Sequence, residues 1–286
     1  MSAPERRVAV VTDSTAYLPG ELIDRYRLTV VPLQVVIAGR SRAEGVDVSS
    51  NEVAAALREW RPVTTSRPAP QTFADTYRRL DVPEVVSVHL SADLSGTVDA
   101  ARLAARQVAA DGVHVVVVDS RSLGMGLGFT SRAAARAALE GATAEEAAQV
   151  ARRYAVDVGI WLYVDTLEYL RRGGRVGAAA AMVGSALSVK PLLNLADGRL
   201  EPVERVRTSS RALARLEELA VHGADGRAVD VAVQHLAAAE RAQEVAERLR
   251  RRVPELRSLY LGEVGAVVGA HVGPGMLGVV VAPAQE

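Results

Sequence analysis

Short runs of β-branched residues alternate with longer runs of helical spacing through the first half of the chain. Val8–Thr12 is a compact apolar run ending in Asp13-Ser14-Thr15, a turn and helix-cap signature. Leu28–Ile37 is a second β-rich run, bounded by Gly39. Ser49–Trp60 opens on cap residues and repeats apolar residues at helical spacing. Thr64–Pro70 reads as a loop with two prolines, and Gln71–Leu80 as a helix. Val85–Leu90 is a strand, Ser91–Thr97 a turn and Val98–Ala110 an Ala-rich helix. Val113–Val118 is valine at every position but His114, the pattern of a strand buried on both faces. A Gly-rich segment, Gly124–Gly128, leads into a helix over Thr130–Leu139. Strand, turn and helix repeated in this order predict right-handed βαβ units and a parallel sheet.

After Gly159 the rhythm changes. Ile160–Val164 predicts a strand and Leu167–Arg171 a short helix, followed by a break at Gly173-Gly174. Val176–Leu187 predicts a helix ahead of Lys190-Pro191. Ala228–Gln234 and Leu259–Val264 predict strands around a clear helix, Ala237–Arg252, and Gly275–Val281 a last strand. The expected fold is α/β with two domains. Residues 1–158 form an N-terminal domain with a parallel sheet flanked by helices. Residues 159–286 form an α+β domain with a mixed sheet.

Composition narrows the function classes. The 286 residues are 49% hydrophobic, enough for a sizeable core, and Lys plus Arg balances Asp plus Glu at 34 each. Zero net charge gives no footprint for nucleic acid or a membrane surface. The basic stretch Arg248 to Arg252 ends a predicted helix, where it complements the helix dipole. There is no cysteine, and five scattered histidines without an H-E-x-x-H pattern leave no metal-ligand set. No run approaches the ~20 apolar residues of a membrane span, and the N-terminal apolar run is too short for a signal peptide. A cytoplasmic location is the expectation. With only two Trp and two Phe, aliphatic side chains must line any pocket.

Candidate chemistry lies where small hydroxyls follow predicted parallel strands: Ser14, Thr15, Ser91, Ser95, Thr97 and Ser120. Ligands of open α/β sheets bind outside the carboxyl ends of the strands. Ser95-Gly96-Thr97 also opens a helix, whose free N–H groups suit an anion, and Gly96 permits close approach. Two roles fit Ser95: helix cap or ligand anchor. No Walker or dinucleotide glycine pattern sits in place, and the Ser91–Thr97 loop has no Lys or Arg. A single carboxylate therefore fits better than a nucleoside triphosphate. Thr64-Thr65-Ser66 precedes Arg67-Pro68-Ala69-Pro70, whose prolines bias Arg67 and Ala69 toward extended backbone. Thr65 thus faces either a ligand or the next helix as a cap. His271, among the glycines of Gly269 to Gly275, reads as a turn residue, structural or functional. Ser95 and His271 do not read as a hydrolase pair, since Asp93-Leu94-Ser95-Gly96-Thr97 is not a G-x-S-x-G elbow.

Taken together these segments resemble the DegV family over nearly the whole chain. The resemblance rests on Val10-Val11-Thr12-Asp13-Ser14-Thr15 and on Thr65-Ser66-Arg67-Pro68-Ala69-Pro70, which is similar to T-S-Q-P-S-P. It extends through Leu94-Ser95-Gly96-Thr97, Asp119-Ser120 and the Leu167 to Leu193 run with its Gly-Gly-Arg-Val and Lys-Pro. Asp197-Gly198, Val206-Arg207-Thr208 and His271-Val272-Gly273-Pro274-Gly275 complete it. Arg67 stands where Gln is usual and Ala69 where Ser is usual; Ser188 and Val189 replace Asn-Ile as neutral changes.

The resemblance implies a carrier, not an enzyme, that buries one long-chain fatty acid such as palmitate or oleate and needs no cofactor. By it, Thr65 and Ser95 hold the carboxylate, the Gly96 N–H assists, and His271 and Arg175 sit nearby. A separate fatty acid kinase would phosphorylate the bound lipid, with Arg207 at the docking surface. Two rivals stand beside the carrier: an acyl or phosphoryl transferase acting at Ser95, and a regulatory module without a ligand.

Overall fold

The computed structural model describes residues 7–182 and 189–285. In the first half, β1 (Val8–Asp13), β2 (Leu28–Val31), β3 (Gln34–Ile37), β4 (Arg40–Ala43), β5 (Val63–Ser66), β6 (Glu84–His89) and β7 (His114–Asp119) follow in order. The second half adds β8 (Gly159–Tyr163), β9 (Lys190–Ala196), β10 (Arg199–Val206), β11 (Val229–His235), β12 (Leu256–Glu263) and β13 (Leu277–Pro283). They form three sheets.

The first sheet is parallel, in the order β2-β1-β6-β7. Of its two inner strands, β1 is buried along its whole length. Alternation sends Val8 and Val10 to one face and Ala9 and Val11 to the other. The first face packs against the helix Met125–Leu139, through Phe129 and Ala134. The second packs against Pro70–Arg79 and Thr97–Val108, through Phe73, Tyr77 and Ala104.

The second sheet is mixed, in the order β10-β9-β8-β13-β11-β12, with only β11 and β12 parallel. Helices Ser209–Ala224 and Ala239–Arg252 cover one face, against Val231, Leu277, Val279 and Val281. The opposite face turns toward the first half. Sheet membership changes at Gly159, yet Ile160, Ala232 and Val280 belong to the same buried cluster as Val8 and Val10.

Several elements differ from expectation. Leu28–Ile37 is not one strand. The chain divides at Pro32-Leu33, so that β2 joins the parallel sheet and β3 pairs antiparallel with β4 and β5 in a third, small sheet. Proline cannot donate to a ladder, which makes it a natural point for the chain to change sheets. Thr64–Pro70 is not all loop either, since Val63–Ser66 is β5. The helix after the Gly-rich segment starts early, at Met125. Of the helix expected over Val176–Leu187, Gly177–Met182 forms 3-10 turns; residues 183–188, Ser188 among them, lie outside the described residues. The helices Ala144–Val156 and Ser209–Ala224 and the β9–β10 hairpin gave no clear signal in the pattern.

Candidate ligand-binding site

A cavity lies between the inner face of the second sheet, the helix Ala266–Val272 and the loops that follow β5 and β6. It encloses about 910 Å³ of space free of atoms, its open mouth included. Most of its wall is aliphatic: Ile160 and Leu162 from β8, Val280 from β13, Val267 and Val268 from the helix, and Leu123. Strand alternation explains the wall. Along β13, Leu277, Val279 and Val281 pack under the outer helices, while Gly278 and Val280, with Met276 just before the strand, line the cavity.

Thr65, Ser66, Arg67, Ser95, Arg175 and His271 supply polar groups to the same cavity. Thr65 stands on β5, opposite Val35 of β3. Its Oγ1 lies 2.8 Å from His271 Nε2. His271 is not on a turn as expected: it lies in the last turn of Ala266–Val272, a helix that ends at Gly273 with φ 75°. A glycine still presses on the imidazole, but from another segment. A Cβ on Gly173 would come 2.1 Å from His271 Nδ1, so only glycine fits there. That Nδ1 is buried and has no hydrogen-bond partner among the described residues. Burial above all, with the Arg175 charge behind it, pushes the His271 imidazole down to about 4. The ring is therefore neutral near neutral pH. With its proton on Nε2 it donates to Thr65 and leaves the Thr65 hydroxyl proton for a ligand. This tautomer leaves a bare nitrogen, not an N–H, against Gly173.

Ser95 does not cap the helix Thr97–Val108; Gly96 is its N-cap, without a side-chain cap. The Ser95 hydroxyl instead pairs with the Thr97 hydroxyl at 2.9 Å. The first amides of this helix are thus left without a side-chain acceptor. Arg175 is held in place, donating from Nε to the Leu94 carbonyl at 3.0 Å and from Nη1 to that of Gly173 at 2.6 Å. Gly96 lies under Arg67: a Cβ there would fall 2.2 Å from Arg67 Nη1.

The other hydroxyls singled out in the sequence do not line this cavity. Ser14 donates to Glu44 at 2.5 Å, Thr15 to Asp13 at 2.5 Å, and Ser91 to the Gly198 carbonyl at 2.7 Å. Ser120 is buried, its hydroxyl accepting from the Ser122 N–H at 3.1 Å. Arg207 is exposed beyond the end of β10, outside the cavity lining. Gln234 was not anticipated; it lines the cavity from β11 and accepts from the Met125 N–H at 2.9 Å. Its place in an apolar strand concealed it.

The arrangement is a mostly apolar cavity with hydroxyl, imidazole and guanidinium groups in its lining. No His/Cys/Asp/Glu group fit to hold a metal occurs among the described residues, and none of the described helices is long and apolar enough to cross a membrane. A family model described as "Uncharacterised protein, DegV family" matches residues 7–284. The chain belongs to the DegV family. A DegV domain-containing protein of Streptomyces coelicolor is 56% identical over 279 residues, covering 96% of this chain and 98% of its own. Among solved structures, a DegV family protein from Thermus thermophilus described for its fatty acid binding aligns with TM-score 0.91 at 32% identity. That alignment covers 97% of this chain and 100% of the other. DegV of Bacillus subtilis, described as a fatty acid binding protein, aligns with TM-score 0.89 at 32% identity, over 98% and 100%.

Proposed function

We propose that this DegV protein carries a single long-chain fatty acid, its acyl chain in the cavity and its carboxylate held by Thr65 and Ser95. The observation that carries this reading is the combination of a mostly aliphatic cavity with hydroxyl groups and a neutral imidazole in its lining. Two solved relatives described as fatty acid binding support it. The division of labour is physical. Burial is worth about 0.8 kcal/mol per methylene, so roughly fifteen methylenes supply about 12 kcal/mol before the costs of ordering. The polar anchor needs only to set direction. The Gly96 amide and Arg175 would assist the carboxylate, and His271 would orient Thr65.

In this reading the protein presents its lipid to a separate kinase that makes the acyl phosphate, and the carrier itself turns nothing over. A transferase centred on Ser95 is less favoured, because His271 engages Thr65 and the Ser95 hydroxyl engages Thr97.

Mass spectrometry of an organic extract from purified protein tests the carrier, beside a Thr65→Ala, Ser95→Ala double variant. A stoichiometric fatty acid in the wild type, reduced in the variant, is expected. A wild type that is empty and also refuses added palmitate and oleate would overturn the reading. Arg207→Ala tests docking: unchanged kinase turnover with normal lipid binding removes Arg207 from that surface.

A further inference from the structure

Arg67, which by the resemblance stands where Gln is usual, lines the cavity. It makes no hydrogen bond or ion pair with any described residue. Other charged groups nearby are committed. Arg175 donates to two backbone carbonyls, and Asp93, two residues before Ser95, pairs with Arg199 at 2.9 Å. His271 adds no charge at neutral pH. Gly96 leaves room for the Arg67 guanidinium directly over the start of the helix Thr97–Val108, whose amides lack a side-chain cap.

One carboxylate does not use this supply of donors. A lone carboxylate is met by two hydroxyls and the Gly96 amide, with the committed Arg175 adding only its charge. A second, free guanidinium beside uncapped amides matches a group with more charge and more acceptor oxygens. Guanidinium binds phosphate in a two-pronged geometry that an amide side chain cannot copy. Because Arg67 is largely exposed, it stays solvated when no ligand is present.

We propose that Arg67 makes this cavity selective for lipids with a doubly charged phosphate head group over the corresponding carboxylates. The inference rests on the acyl-carrier reading and extends it. A carrier with this preference would hold a phosphorylated acyl product more firmly than the acid from which it came. Release would then require a partner that competes for the head group.

The test is calorimetric titration of delipidated full-length protein with two probes of equal length, palmitate and hexadecyl phosphate. It is run near pH 8, above the second phosphate pKa of about 6. Arg67→Gln should weaken hexadecyl phosphate about tenfold or more, the worth of one lost charge-assisted hydrogen-bond pair, and palmitate by less than about threefold. Arg67→Lys keeps the charge without the fork and should fall between. Equal losses for both probes, or no loss for hexadecyl phosphate, would overturn the assignment while leaving the carrier intact. A wild type that binds neither probe would remove the carrier reading and this assignment together.

Discussion

Thr65 Oγ1 and His271 Nε2 stand 2.8 Å apart although 206 positions separate them in the chain. One comes from the small antiparallel sheet and the other from a helix leading into β13. The pair thus ties the first half of the molecule to the second at the cavity, and its strength follows the state of the imidazole. His271 titrates near 4 in the fold against about 6.5 in an unfolded chain. Its folded value is depressed, so its contribution to stability is complete above about pH 6.5 and is lost as pH falls toward 4. The loss amounts to at most about 3 kcal/mol. Urea unfolding of wild type and His271→Gln across that window checks this. Wild-type stability should fall more steeply with acid; parallel curves would show that His271 is not buried as a neutral base.

Glu44 holds the other end of the same helix. Its carboxylate accepts from the Val267 N–H at 2.7 Å, from Tyr17 at 3.1 Å and from Ser14 at 2.5 Å. Burial pushes this carboxyl up, so its pH contribution has the opposite sign to that of His271: complete below the ordinary carboxyl range and lost as pH rises. Glu44→Ala strands three donors and should cost on the order of 3 kcal/mol. It should also weaken fatty acid binding, because the helix that carries His271 loses its anchor. Glu44→Gln should cost less, since the amide oxygen still accepts. Thermal unfolding and lipid titration read both effects; an Ala variant as stable as Gln would refute the anchor role.

What the sequence revealed and what it hid divide along physical lines. β1 was legible because a strand buried on both faces is largely apolar; β7 was legible by its valines, although as an edge strand it is only partly covered and not buried on both faces. Ser95 was a candidate as a hydroxyl after a strand, and Thr65 as one in a proline-stiffened segment, but the same pattern also picked Ser14, Thr15, Ser91 and Ser120, which do not line the cavity. The partners of Thr65 and Ser95 were not legible. Nothing local to His271 says that Gly173, rather than its own neighbouring glycines, would press on its ring. Glu44 sits in a polar stretch, Arg40 to Asp47, that reads as solvated, and its burial is created by the helix Ala266–Val272 arriving from the far end of the chain. The break at Pro32 was visible as a residue, but which sheet each side would join depends on partners that local pattern does not specify.

Arg132 and Asp230 form a buried ion pair at 2.5 Å, with side chains 5% and 3% exposed, between the helix Met125–Leu139 and β11. Arg132 also donates to Gln285 at 3.0 Å and stacks over Phe129 at 4.9 Å. Removing one partner leaves a buried charge, so Asp230→Ala should destabilise the protein by about 3–5 kcal/mol. The double variant Arg132→Met, Asp230→Leu should recover much of that loss, because no charge is stranded. Chemical denaturation distinguishes the cases. Two single variants whose costs simply add in a double Ala variant would mean that the residues do not act as a pair.

Gly278 tests which wall of the cavity meets the acyl chain. It sits between Met276 and Val280 on the inner side of β13. A Cβ at this position would meet its nearest atoms, Met276 Cε and the Trp161 carbonyl, at 3.7 Å, which is ordinary contact. The backbone therefore tolerates a side chain, and the remainder of a leucine would enter the cavity. Gly278→Leu should leave the fold intact and exclude about three methylenes, lowering affinity for sixteen- and eighteen-carbon acids by about 2–3 kcal/mol. Acids about four carbons shorter should bind nearly as before, because they never reach the filled space. Competition titrations over a series of chain lengths would show the shift. A loss of equal size at every length would mean that the substitution disturbs the head-group end instead, and that β13 does not line the far part of the acyl chain.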